Sequence, residues 1–166
     1  MPSPLERVFV ALGSNIGPRR LALDFALDRL SGSPGLTLVA VSTVHDTAPV
    51  GPVAQPRYLN AVAELTSALD PSDLLALLLS IERLQGRDRE HSPRWGPRTL
   101  DLDLILFGRR IINLPDLVIP HPRFAERLFV LEPLAELAPD LIPPGFSDSV
   151  ATLRDRLLAA SGAGNP

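Results

Sequence analysis

Trp95-Gly96-Pro97-Arg98-Thr99-Leu100-Asp101-Leu102-Asp103-Leu104-Ile105-Leu106-Phe107 runs from a basic turn straight into an alternating stretch that reads as a β-strand over 100–107. Side chains two apart on a strand share a face, so Asp101 and Asp103 sit side by side, roughly 6.5–7 Å apart at Cα. Leu100, Leu102 and Leu104 alternate onto the opposite, buried face. Two hard carboxylates at this spacing suit Mg²⁺ ions held against a polyphosphate. An isolated D-x-D pair equally fits a solvated edge strand whose acids oppose aggregation, so the surrounding chain has to decide.

Upstream, Arg87 to Pro97 is a polar, charged loop of the length that usually carries function. Before it, Asp70-Pro71-Ser72-Asp73 is a helix start: an N-cap acid, proline at the first position and an acid at the positive end of the dipole. That helix runs to about Leu84 or Gln85, where Gly86 stops it. Tyr58 to Thr66 and Leu36 to Val44 read as strands. The segment between them, His45 to Arg57, is broken by Pro49, Gly51, Pro52 and Pro56 and reads as loop. Near the N-terminus, a strand over Arg7 to Leu12 enters the turn Gly13-Ser14-Asn15-Ile16-Gly17. A helix then follows Pro18 and is stopped by Gly32.

Downstream of the quoted strand, Gly108-Arg109 turns toward a short partner around Arg110 to Ile112. Helices are expected near Arg123 to Ala138 and Ser149 to Ala160, with a frayed tail over 161–166. The order β-α-β-β-α-β predicts an α+β, ferredoxin-like antiparallel sheet with packed helices and additional C-terminal helices. Such a fold hosts many activities and does not choose among them.

Composition narrows the chemistry. With 166 residues the chain is expected to form one domain over 1–166, its core spanning about 7–160. There is no cysteine, which removes disulfides, thiolate nucleophiles and cysteine-ligated zinc. All 16 cationic side chains are arginine, so a P-loop, with its required lysine, and Schiff-base chemistry are both excluded. A phosphate site must be built from arginine forks. A net charge of −3 argues against a nucleic-acid binder with a broad basic surface. No stretch approaches the ~20 apolar residues of a membrane span, and the N-terminus lacks a basic region followed by an apolar run, so a soluble, cytoplasmic protein is expected.

Five segments together resemble the 6-hydroxymethyl-7,8-dihydropterin pyrophosphokinase family of folate biosynthesis. They are Ala11 to Gly17, Tyr58-Leu59-Asn60-Ala61, Glu82-Arg83-Leu84-Gln85-Gly86-Arg87, Trp95 to Asp103, and Ile119-Pro120-His121-Pro122. They occur in the family's order over about residues 7 to 143, and the run from Trp95 to Asp103 is the most specific. The resemblance implies transfer of pyrophosphate from ATP to the hydroxymethyl group of the dihydropterin, with release of AMP. Asp101 and Asp103 would hold two Mg²⁺ ions. Arg87 and Arg98 would place positive charge on the transferring phosphates, with Arg89 and Arg94 nearby on a loop that closes over ATP.

The resemblance assigns Tyr58 and Phe129 to a stacking sandwich around the pterin, Asn60 to its pyrimidinone edge, and Trp95 to the seal. Main-chain groups around Thr47, Pro49 and Val50 complete the pterin site. Glu82, His121 and Arg127 match positions that contact ATP, and Leu104 and Ile119 match positions near the adenine. His45 and His91 read as surface residues, and no general base is identified. Ala48, Asp116 and Pro122 depart from relatives that carry proline, arginine and a hydrogen-bonding side chain there. The substrates implied are ATP and the pterin, acted on by a monomer without nucleic acid or membrane. A non-catalytic ferredoxin-like module that binds a nucleotide or metal for regulation is the alternative reading.

Overall fold

In a computed structural model, residues 3–86 and 98–163 are described. β1 (Glu6–Ser14) leads through Pro18 into α1 (Arg19–Ser31), which ends at Gly32, whose N–H donates to the Asp28 carbonyl. β2 (Leu36–Val41), β3 (His45–Thr47) and β4 (Tyr58–Ser67) follow, then α2 (Pro71–Leu84) and β5 (Asp101–Phe107). The sheet order is β2-β4-β1-β5, every pair antiparallel, with β3 added beside β4. Counting the four long strands in chain order gives 4-1-3-2, the ferredoxin-like arrangement. Next come a small hairpin, β6 (Ile112–Leu114) with β7 (Leu117–Ile119), a 3-10 turn over Phe124–Glu126, α3 (Leu128–Leu137) and α4 (Val150–Ala163).

Two cores flank the sheet. On one face Val8, Val10 and Leu12 of β1, Ala63 and Leu65 of β4, and Leu102 and Leu104 of β5 pack with Leu23 and Leu30 of α1 and Leu74, Leu78 and Ile81 of α2. The other face buries Phe9, Val62, Ile105 and Leu106 against Phe124, Val130, Leu131 and Leu134. Each fully buried Val, Leu, Ile or Phe among them contributes about 1.5–3 kcal/mol, and both faces need their covering helices. Among the described residues no helix is long and apolar enough to cross a membrane.

Four expectations are corrected. The stretch from His45 to Arg57 is not all loop, because His45–Thr47 pairs with Tyr58–Asn60 of β4. The partner expected after Gly108 forms its own hairpin with β7 instead of joining β5. The long helix expected over Arg123 to Ala138 is broken at Arg127, whose backbone is extended. Ser161 to Ala163, expected to fray, continue α4. A finer difference concerns Asp70, which precedes α2 as foreseen but makes no capping bond through its side chain.

Candidate active site

The site lies on the sheet face covered by α3 and α4. Its floor is the C-terminal half of β1, the central strand, where the residues pointing to that face, Ala11 and Gly13, are small. Gly13 is opposite Asp101 of β5 on one side and Asn60 of β4 on the other; Ala11 is likewise flanked by Asp103 and Val62. Side chains rise from the neighbouring strands and the floor stays low between them. The result is a cavity of about 500 Å³.

Of the residues singled out from the sequence, Thr47, Val50, Tyr58, Asn60, Arg98, Asp101, Asp103, His121, Arg127 and Phe129 all line this cavity. Pro49 is half-buried beside them but outside the lining. Leu104 and Ile119 do not line it; both are buried in the core beneath α1 and α2. Glu82, 1% exposed, accepts a hydrogen bond at Oε2 from the Leu102 N–H (2.8 Å) and so fastens β5 to α2 from below the sheet. The expectations for Arg87, Arg89, Arg94, Trp95 and His91 lie outside the described residues.

The carboxylate end is charge-paired. Arg98 Nη1 is 3.2 Å from Asp101 Oδ2, and Arg127 Nη1 is 4.0 Å from Asp103 Oδ2. All four side chains are between 22% and 30% exposed, so these pairs are neither fully solvated nor sealed. Arg127 reaches this position because the chain breaks just before α3, and its guanidinium carbon also lies 5.6 Å from the Phe129 ring centroid.

His121 follows the cis Ile119-Pro120 bond, and its N–H donates to the Ile105 carbonyl (2.9 Å), which pins it to β5. Its Nδ1 accepts from the Arg123 N–H (3.2 Å), leaving the ring proton on Nε2. Burial, then the Arg127 charge, push the imidazole down from 6.5 to about 4, against an opposing pull from Asp101. It is therefore a neutral Nε2–H donor at physiological pH.

The sign of its effect on stability follows. Above pH 6.5 the imidazole is neutral in both folded and unfolded chains; as pH falls from 6.5 toward 4 the unfolded chain takes up the proton first, and stability is lost. An NMR titration of the free protein should place the His121 midpoint near 4. The drop in melting temperature from pH 7 to the acid side should be smaller in His121→Gln. A midpoint above 6 would contradict this assignment.

At the other end, Asn60 is 6% exposed and donates through Nδ2 to Thr47 Oγ1. That bond fixes the amide. A Cβ placed on Gly13 would lie 3.1 Å from Asn60 Oδ1, which puts this acceptor at the edge of the glycine slot. Tyr58 lies two residues away on the same face. Phe129 and Glu132 of α3 and Leu157 and Ser161 of α4 form the facing wall. His45, read from the sequence as a surface residue, is partly exposed and bonded to Glu136 of α3 (2.5 Å), which also accepts from the N–H and hydroxyl of Thr43. Burial opposes ionisation of Glu136, but these donors hold its carboxyl below the usual range. The cluster ties α3 to the start of β3.

Gln55, Arg123 and α4 also line the cavity and were not marked from the sequence. Arg123, just past His121-Pro122, had a usable signal in its position. Gln55 and α4 had none.

A family model described as 7,8-dihydro-6-hydroxymethylpterin-pyrophosphokinase matches residues 9–139. Three relatives bear the name 2-amino-4-hydroxy-6-hydroxymethyldihydropteridine pyrophosphokinase. The one from Pseudomonas aeruginosa is 51% identical over 85% of this chain and 86% of its own length. Those from Bacillus subtilis and Methylorubrum extorquens are 47% and 42% identical, over 78% and 85% of this chain and 76% and 88% of their own lengths. In structure, a Plasmodium falciparum HPPK-DHPS protein superposes with a TM-score of 0.75 over 98% of this chain at 14% identity, which speaks for the fold alone. This chain spans 45% of that longer one. The ferredoxin-like sheet, the family match and the close relatives agree: the chain belongs to the 7,8-dihydro-6-hydroxymethylpterin-pyrophosphokinase family, the pyrophosphokinases of folate biosynthesis.

Proposed function

We propose that the cavity binds the dihydropterin toward Tyr58, Asn60 and Phe129 and the triphosphate of ATP toward Asp101, Asp103, Arg98 and Arg127. The observation that carries this division is a single rung of the sheet: Asp101, Gly13 and Asn60 lie in line across three strands. Two strand spacings separate its ends, roughly 9.5 Å. A flat bicyclic ring read at its edge by Asn60 then projects its hydroxymethyl arm toward the carboxylate end. With Nδ2 engaged by Thr47, Asn60 presents Oδ1, an acceptor suited to the N–H donors on the pyrimidinone edge.

In the transfer, the hydroxymethyl oxygen bonds to the β-phosphorus, the bond from that phosphorus to the α–β bridging oxygen breaks, and AMP departs with the electron pair. The hydroxyl proton is released to solvent. Catalysis of this kind is positioning plus charge compensation. Arg98 and Arg127 already face the carboxylates and are placed to meet phosphate oxygens. His121 adds a neutral donor without adding charge. Arg87, Arg89 and Arg94 are proposed to extend the cationic wall, Trp95 to close the pterin side, and Glu82 to support β5 beneath the nucleotide.

The donor set fits Mg²⁺. Asp101 and Asp103 offer oxygen only, and no group of three metal-ligating side chains occurs among the described residues. Mg²⁺ typically takes one or two carboxylates and completes its shell with phosphate and water. Two Mg²⁺ ions held by this pair would neutralise the charge of the triphosphate. We read residues 1–166 as a single domain acting as a cytoplasmic monomer.

A ³¹P NMR time course with ATP, MgCl₂ and 6-hydroxymethyl-7,8-dihydropterin tests the reaction. AMP and a pterin diphosphate are expected. ADP would mean γ-phosphoryl transfer, and binding of ATP without turnover would favour the non-catalytic module.

A further inference from the structure

Asn15 follows β1 directly and is 1% exposed. Its side chain is spent entirely on two segments far apart in the chain. Nδ2 donates to Gln55 Oε1 (2.8 Å) and to the Pro56 carbonyl (3.1 Å). Oδ1 accepts from the Arg98 N–H (2.7 Å), and the Asn15 N–H donates back to the Arg98 carbonyl (3.0 Å). Both amide protons and the amide oxygen are engaged, and Arg98 is gripped at both of its main-chain groups.

The location gives these bonds their meaning. β4 and β5 are the two neighbours of β1 in the sheet. Gln55 and Pro56 precede Tyr58, where β4 begins, and Arg98 precedes Asp101, where β5 begins. Asn15, at the end of the strand between them, ties together the two entering segments. Gln55 and Arg98 also line the cavity, one toward the pterin end and the other at the carboxylates. A residue that only stabilised the turn after β1 could satisfy its amide locally; this one spans the two halves of the site.

We propose that Asn15 is a positioning residue that holds the pterin half and the phosphate half of the site in register. It touches neither substrate. It fixes the distance between the Gln55–Tyr58 segment and Arg98, and so the approach of the hydroxymethyl oxygen to the β-phosphorus. Its loss leaves each half able to bind and degrades their alignment. The inference rests on the division of substrates proposed above.

The test is Asn15→Ala, with calorimetric binding of the pterin alone and of α,β-methylene-ATP alone, and with steady-state turnover. Misplacement by about 1 Å costs on the order of 100-fold, so kcat should fall by about that factor while each separate Kd stays within about fivefold. A kcat within about twofold of wild type, or separate affinities that fall as far as kcat, would overturn the proposal. Gln55→Ala removes one bond of the set and guards against a variant that does not fold. It should lower kcat about tenfold with the same split, and the double variant should lose less than the product of the two. Unchanged turnover in Gln55→Ala together with additive losses would also overturn it. Wild-type protein that fails to bind the pterin or the analogue would instead reject the division of substrates.

Discussion

Alanine at Asp101 or at Asp103 is expected to cut turnover by three orders of magnitude or more, about 4 kcal/mol of transition-state stabilisation, with little change in melting temperature. The two expectations come from different properties of the same side chains. Each carboxylate is 22–30% exposed and faces a guanidinium 3.2–4.0 Å away, in pairs of the half-solvated kind that contribute little to folding. Neither acid fills a core position, so its removal opens no cavity in packed hydrophobic structure. For catalysis the balance reverses. On the proposed division of the site, the triphosphate brings several negative charges beside Arg98 and Arg127, which are already paired with these acids, and the acids are the groups suited to recruit divalent cations. Asp101→Asn and Asp103→Asn keep the shape and remove the charge. They should fail nearly as badly and should shift the Mg²⁺ requirement upward. Turnover within about tenfold of wild type in both alanine variants would remove the carboxylate pair from the mechanism.

The same pair shows what the sequence displays and what it conceals. Strict alternation over Leu100 to Leu104 is a local signal, and the structure keeps it: the leucines face α1 and α2 while the acids face the cavity. One step further the alternation fails. Ile105 and Leu106 both turn to the α3 side, because the β1–β5 register shifts between Phe9 and Val10, a property of the pairing that no single strand displays. β3 escaped for a related reason. Its three residues are followed by Pro49, Pro52 and Pro56, and what makes them a strand is the edge of β4.

Residues in and around the cavity divide along the same line. Asp101, Tyr58 and Asn60 were legible as candidates because they sit in segments whose spacing or family likeness marks them, and all three line the cavity. Asn15 lay inside such a segment without a role, since its side-chain partners are 40, 41 and 83 residues away. The break at Arg127 was hidden because hydrophobic periodicity runs through it; a charged residue carried toward Asp103 leaves no trace in that pattern.

Gly13 carries the second large effect, and here the loss of activity should far exceed any change in stability. Its backbone is not in the left-handed region, so glycine is not demanded by conformation, and what matters is space. A Cβ would meet Asn60 Oδ1 at 3.1 Å and Tyr58 Cδ1 at 3.6 Å. Asn60 is held by Thr47 and has little room to retreat. In Gly13→Ala the amide must shift by a few tenths of an ångström, and pterin affinity should fall about tenfold, equivalent to ~1.4 kcal/mol. In Gly13→Val two further methyl groups stand between Asp101 and Asn60 on the rung where the pterin is proposed to lie. The loss in kcat/KM should reach about 100-fold or more, some 2.7 kcal/mol. Valine is also a better strand residue than glycine, which loses more backbone freedom on folding and so weakens a strand interior by roughly 0.5–1 kcal/mol. This gain partly offsets the strain against the held Asn60, so Gly13→Val should stay folded with at most a modest fall in melting temperature, while its pterin binding, followed by calorimetry, is nearly abolished and its affinity for α,β-methylene-ATP is largely kept. Retained pterin affinity in Gly13→Val would show that the ring does not rest on this part of β1, and would move the pterin away from the Asp101–Gly13–Asn60 rung.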